Sequence, residues 1–302
     1  MWIVDRAPRY NRAVGLGFLV LAAGLLAADE RLAAILARLS EEAEVFARMA
    51  PDLVAQETLK QQARKAPPRF RPRAGNSALQ PLKPQYRTRE IVSEYGYSTF
   101  REAPGVLHEF RQVVSVDGRR IATVEKARQT LSRGLRSEDD RLKKRMLEGF
   151  EKHGLTGAAA DFGQVILLFG KRRLTNYIFS ISGGQRIGAE AALILSFRQT
   201  GGAGSLLIFD RRKALHQPLE GEIWVRQADG VPLRIALRSA RKEADATIRD
   251  EATVDYVVSP HGALAPVSVV HRQFAGADLV VENLFQYSSF RKFSSESEIK
   301  FN

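Results

Sequence analysis

The chain has 302 residues, 44% of them apolar and 26% charged, with a formal charge of +12 and no cysteine. A chain of this length and balance is not disordered, and we read it as one large globular domain behind a leader. The absence of cysteine excludes disulfides, thiolate nucleophiles, cysteine metal sites and the lipid-bearing cysteine of an exported lipoprotein.

At the start, Arg6, Arg9 and Arg12 precede sixteen uncharged, mostly apolar residues from Ala13 to Ala28, which end abruptly at Asp29 and Glu30. This predicts a secretory leader over 1–28, cut at Ala27 or Ala28, and so a periplasmic protein. An uncleaved anchor is the competing reading, because the apolar run falls just below the roughly 18 residues of a spanning helix. The leader carries +2 of the charge. On an exported chain the remaining excess suits an anionic membrane surface better than nucleic acid.

Beyond the leader, Leu32, Ile35, Leu36, Leu39, Ala43 and Phe46 recur at three- and four-residue steps, the stripe of an amphipathic helix. Pro51 interrupts it, and Leu53, Val54 and Leu59 suggest a second short helix, giving an N-terminal helical segment over 29–64. Residues 60–73 hold Lys60, Arg64, Lys65, Arg69, Arg71 and Arg73, no acid, and Pro67, Pro68 and Pro72. That composition describes a basic, extended linker over 65–88 or a tether to an anionic surface.

From Arg89 the period changes. Ile91, Ser93, Tyr95, Tyr97 and Thr99 alternate as a strand, and a second strand over 106–116 ends at the Asp117-Gly118 turn signal. A helical insertion follows over about 120–170. Val124, Ala127, Leu131 and Leu135 suit one helix; Ser137 and Asp140 read as the cap and acidic first turn of another, which carries Leu142, Met146, Leu147 and Phe150 and stops at His153-Gly154. The apolar run 162–169 is too short for periodicity to assign, and we read it as helix.

From Leu174 onward the chain reads as a meander broken at Gly183-Gly184, Gly201-Gly202, Asp229-Gly230, Pro260-His261-Gly262 and Ala275-Gly276. Leu233, Ile235 and Leu237 alternate with Arg234 and Arg238, and the last strands carry apolar residues on both faces, so something must cover the second face. The expected fold is therefore α+β. A strongly curved antiparallel sheet of about ten strands, an incomplete β-barrel over 89–302, is covered by helices.

Gly221-Glu222-Ile223-Trp224-Val225, followed by the turn Asp229-Gly230 and the restart Val231-Pro232-Leu233-Arg234-Ile235, resembles the outer-membrane lipoprotein-sorting superfamily of LolA- and LolB-like carriers and RseB-like sensors. The resemblance spans roughly 91–301, with its specific part in the Trp224 hairpin. It implies an incomplete barrel whose apolar cavity accepts acyl chains. The helical insertion and the basic linker depart from a minimal carrier, and no position matches the carriers' gating arginine. Trp224, Leu233, Ile235, Tyr256, Phe285 and Tyr287 are the candidate lining, with packed core as the alternative for each.

The residues offer no catalytic set. His108, His153, His216, His261 and His271 never fall at metal-motif spacing, Glu138-Asp139-Asp140 sits at a helix start, and the glycine pairs lack a phosphate-loop lysine. We expect no enzyme, no cofactor and no metal. The charged final strand argues against an outer-membrane barrel. The expectation is a periplasmic protein that binds a lipid or lipoprotein, or alternatively a sensor module that binds a membrane-protein partner.

Overall fold

The computed structural model describes residues 14–66, 83–156, 161–202, 207–210, 213–216, 218–243 and 246–293. Helix α1 (Val14–Met49) leads through a 3-10 turn (Ala50–Asp52) into β1 (Leu53–Arg64), then β2 (Tyr86–Phe100), β3 (Ala103–Val116) and the short β4 (Arg119–Arg120). Helices α2 (Val124–Arg136) and α3 (Asp140–Glu151) follow, then a 3-10 segment (Val165–Phe169) and a second 3-10 turn (Leu174–Asn176). The meander runs through β5 (Tyr177–Ile187), β6 (Glu190–Gln199), the small hairpin β7 (Leu207–Asp210) and β8 (Lys213–His216), and β9 (Glu220–Arg226). It closes with β10 (Pro232–Glu243), β11 (Ala246–Val258), β12 (Leu264–Ala275) and β13 (Asp278–Lys292).

Eleven strands form one curved, unclosed antiparallel sheet in the order β4-β3-β2-β1-β13-β12-β11-β10-β9-β6-β5. The α+β fold expected from the sequence is the one observed, with β7 and β8 forming a separate two-stranded sheet. Sequential hairpins explain most of the order. The exceptions are β6, which pairs with β9 past the separate β7–β8 hairpin, and β1, which pairs with β13 on one side and β2 on the other and so joins early and late strands inside the sheet.

The helical reading of Leu53, Val54 and Leu59 is thus corrected to a strand. Leu53, Ala55, Glu57, Leu59, Gln61 and Ala63 are the buried set, a strict period of two. Two of these inward positions are polar, which hides the alternation in the sequence. Lys60 and Arg64 belong to this strand and not to a linker; Lys60 faces Glu90 at 3.3 Å and Arg64 bonds Asp278 at 2.5 Å. The Lys65 amide donates to the Gln85 carbonyl. Arg69, Arg71 and Arg73 lie outside the described residues. Helix α1 continues through Ala27 and Ala28, and among the described residues no helix is long and apolar enough to cross a membrane.

The helices cover both faces of the sheet. The α1 stripe Ile35, Leu39, Ala43 and Phe46 is buried with the inward side chains of the sheet, including Leu59, Ile91, Ile235, Val254 and Phe285. The pair α2–α3 instead packs on the opposite face of β2 and β3, where Phe100, Phe110, Leu131, Leu135 and Met146 form a second core, while Phe150 at the end of α3 joins the main one. The α2 cap is Thr123, and the α3 cap is Asp139 rather than Ser137, each accepting a backbone N–H of the first turn. The Asp140 carboxylate accepts instead from the amides of Arg101 and Glu102.

The turns at Gly230, Gly262 and Gly276 are in place, and Asp117 with Gly118, both at positive φ, makes the tight hairpin between β3 and β4. Gly183-Gly184 is not a break. It lies inside β5, where the register against β6 shifts by a bulge between Ile181 and Gly183. Residues 162–169 form neither strand nor α-helix; Phe162 and, in the 3-10 segment, Val165, Ile166, Leu168 and Phe169 are buried against the concave face.

Candidate functional site

A cluster of deeply buried charged groups lies on that concave face. Strand alternation turns Glu57 of β1, Tyr95 and Tyr97 of β2, Glu109 and Arg111 of β3 and Tyr287 of β13 inward, all essentially inaccessible to solvent. Register makes them neighbours: Glu57 stands opposite Tyr287, Tyr95 opposite Arg111, and Tyr97 opposite Glu109. Arg111 donates from Nε to Glu57 Oε1 at 2.7 Å and from Nη2 to Glu57 Oε2 at 2.8 Å, a bidentate pair, and from Nη2 to Glu109 Oε2 at 2.6 Å. Its guanidinium also lies 5.3 Å from the Tyr95 ring centre and 5.1 Å from that of Phe150.

Two carboxylates sharing one guanidinium leave an excess of negative charge without water to solvate it. Burial pushes Glu109 up to about 8, against the lowering pull of Arg111 and with the help of Asp161 and Glu57. At neutral pH this side chain is largely the neutral acid. Burial likewise drives the hydroxyls of Tyr95, Tyr97 and Tyr287 well above the usual tyrosine range, so each remains a proton donor.

These groups converge beneath the 3-10 cover. A side chain started at Gly163 would begin 2.8 Å from Glu109 Oε1, 2.8 Å from the Tyr95 hydroxyl and 3.1 Å from the Tyr97 hydroxyl. Among the described residues, neither Glu109 Oε1 nor the Tyr287 hydroxyl has a hydrogen-bond partner, and the Tyr95 and Tyr97 hydroxyls have only each other. A buried polar atom left without a partner costs about 1–3 kcal/mol, so the cluster is poised for a further polar group. The cover itself is tied to the sheet by Tyr256, whose hydroxyl donates to the Gly163 carbonyl and accepts from the Ile166 amide, each at 3.2 Å.

A second polar chain crosses the same face. Gln61 bonds Asn283 at 2.8 Å and both backbone groups of Thr156; Asn283 meets His271 Nδ1 at 3.1 Å, and His271 Nε2 meets Asp250 at 3.3 Å. Burial alone would raise Asp250, but hydrogen bonds from His271 and Gln273, with the charges of His271 and Arg241, hold it below the ordinary aspartate value. Phe162 of the cover lies over the His271 ring at 4.5 Å.

Four of the six residues read from the sequence as lining gather here. Ile235, Tyr256, Phe285 and Tyr287 are buried in the main core under α1 and the 3-10 segment. Trp224 is not among them. Ile223 and Val225 take the inward positions of β9, which turns Trp224 to the outer face, where its Nε1 donates to Gln185 at 3.2 Å. Leu233 sits half-buried at the bulge between Pro232 and Arg234, outside the core cluster. The sequence reading missed Glu57, Glu109 and Arg111 as site residues. The signal was present in β3, where Glu109 and Arg111 share the inward parity of Leu107 and Val113.

Comparison with known proteins returns similarity at a distance. No family model matches the chain, and no curated protein matches it. One similar solved structure is a LolA superfamily protein from Nitrosomonas europaea, at 11% identity over 87% of this chain and 96% of that one, with a TM-score of 0.29. Another is a DUF1329 family protein from Desulfovibrio piger, at 11% identity over 88% of this chain and 95% of that one, also with a TM-score of 0.29.

Proposed function

We propose that this is a periplasmic binding protein, not an enzyme, which takes up the acyl chain of a lipid or lipoprotein on the concave face of its sheet. The observation that carries the reading is the cover. The trough is filled on one side by a regular helix, α1, but at its centre by a short irregular segment whose Phe162, Val165, Ile166, Leu168 and Phe169 are buried. Five such side chains contribute about 10 kcal/mol of burial, and an acyl chain of some fifteen methylenes contributes about 12 kcal/mol. The exchange of one for the other is therefore close to balanced, which a carrier that loads and unloads requires. The polar atoms under Gly163 supply donors for the ester or headgroup that accompanies the chain. The acyl ligand displaces the cover and leaves the sheet and α1 in place.

Titration of the purified full-length chain with a fluorescent hexadecanoic acid, with native mass spectrometry on the same samples, tests this. The expected result is saturable uptake of one chain per protein, with faster amide exchange confined to the cover. A protein that takes up no acyl chain, while its cover exchanges no faster than the sheet, overturns the reading.

A further inference from the structure

A cleft of about 510 Å³ opens where the start of β2, the β3–β4 hairpin and the end of α3 meet, well away from the polar atoms under Gly163. Arg87 and Arg89 come from β2, Arg119 from β4, and Lys152 and His153 from the end of α3. Asp117 is its one acidic lining residue. Arg89 pairs with it at 3.3 Å, while Arg87, Arg119 and Lys152 have no ion pair among the described residues.

The cations converge. Both guanidinium tips, of Arg87 and Arg89, lie within 4 Å of the point where a side chain on Gly154 would begin. Glycine at that position, φ +75°, lets the chain turn off α3 without filling the space between them. Arg89 is half-buried, and its Nε is a buried donor with no partner among the described residues. Burial and then the charge of Arg89 hold His153 below its ordinary pKa. Like charges held together at a chain turn repel, and an anion with several acceptor oxygens removes that repulsion.

We infer that this cleft is a binding site for a phosphate group, free or carried on a lipid. A single carboxylate would answer only one of the unpaired cations. A phosphate presents enough oxygens and charge for the Arg89 Nε and for its unpaired neighbours together. Ile121, exposed on the rim, is an apolar contact for whatever carries the group. The inference stands independently of the acyl-binding proposal, since it uses different residues, at the start of β2, where Arg87 and Arg89 stand opposite Ala63 and Gln61.

The test is titration of the full-length chain with inorganic phosphate, followed by the His153 ring resonances. In parallel, the chain is sedimented with vesicles of phosphatidylcholine alone or mixed three to one with phosphatidylglycerol. A saturable His153 shift is expected, with affinity about tenfold weaker in the exposed pair Arg87→Ala/Arg119→Ala. An Arg238→Ala control, which changes net charge elsewhere, should match the parent. Phosphate binding without vesicle binding assigns the site to a free phosphate-bearing molecule, and vesicle binding lost in the pair variant assigns it to a headgroup. If neither probe binds, or if the pair variant binds both as the parent does while its melting curve is unchanged, the inference is wrong.

Discussion

Glu109 holds a proton that a solvated glutamate would release. In the unfolded chain it ionises near its ordinary value of 4.5, whereas in the folded state it does so at about 8. Between those values the folded state binds more protons than the unfolded one, so this group makes stability fall as pH rises, by up to about 1.4 kcal/mol per pH unit, with no change outside the window. Glu109→Gln keeps the shape and the Arg111 contact but cannot titrate. Urea unfolding at a series of pH values should show the parent losing stability relative to Glu109→Gln from pH 4.5 to 8; parallel curves would mean that Glu109 is ionised in the folded protein. The pair beside it is of a different kind, because Arg111 holds Glu57 through two hydrogen bonds on the floor of the trough. Their roles were hidden in the sequence because a lone charge in a strand reads as solvent-facing. Only the register that sets Tyr95 opposite Arg111 and Tyr97 opposite Glu109 gathers them.

Among the elements, α2 and α3 are the clearest case of local signals surviving into the structure. Their apolar stripes and their acidic starts are encoded within a few residues, and both helices form where the stripes lie. Their docking face was not legible, since a stripe says that a helix is covered and not by what. They pack on the outer face of the sheet, where Leu131, Leu135 and Met146 form a second core, and only Phe150 at the end of α3 belongs to the core that would hold an acyl chain. Leu131→Ala should therefore cost about 2–5 kcal/mol of stability and leave acyl affinity unchanged. Denaturant unfolding and the fatty-acid titration, run on the same protein, separate the two; a parallel loss of both would tie the outer core to the trough. The strand β1 shows the opposite outcome. Its polar inward residues broke the alternation that marks a strand, and its partners β2 and β13 are distant in the chain.

For the molecule as a whole, the leader proposal has a direct consequence. The described α1 side chains that enter the main core, from Leu32 to Phe46, all lie beyond the proposed cut. A chain beginning at Asp29 should melt at the same temperature as the full chain, and protein recovered from the periplasm should have a mass that starts at Ala28 or Asp29. A full-length mass would favour the anchor. The α+β class, the amphipathic α1, the two helices of the insertion and the turns at Gly230, Gly262 and Gly276 are all legible along the chain, because each is written in residues close together. Only the folded molecule shows that β1 stands inside the sheet between β2 and β13, that Trp224 faces outward, and that Glu57, Glu109 and Arg111 share one buried cluster. Strand order, parity across a bulge and the meeting of distant charges are set by long-range pairing, which no window along the chain contains.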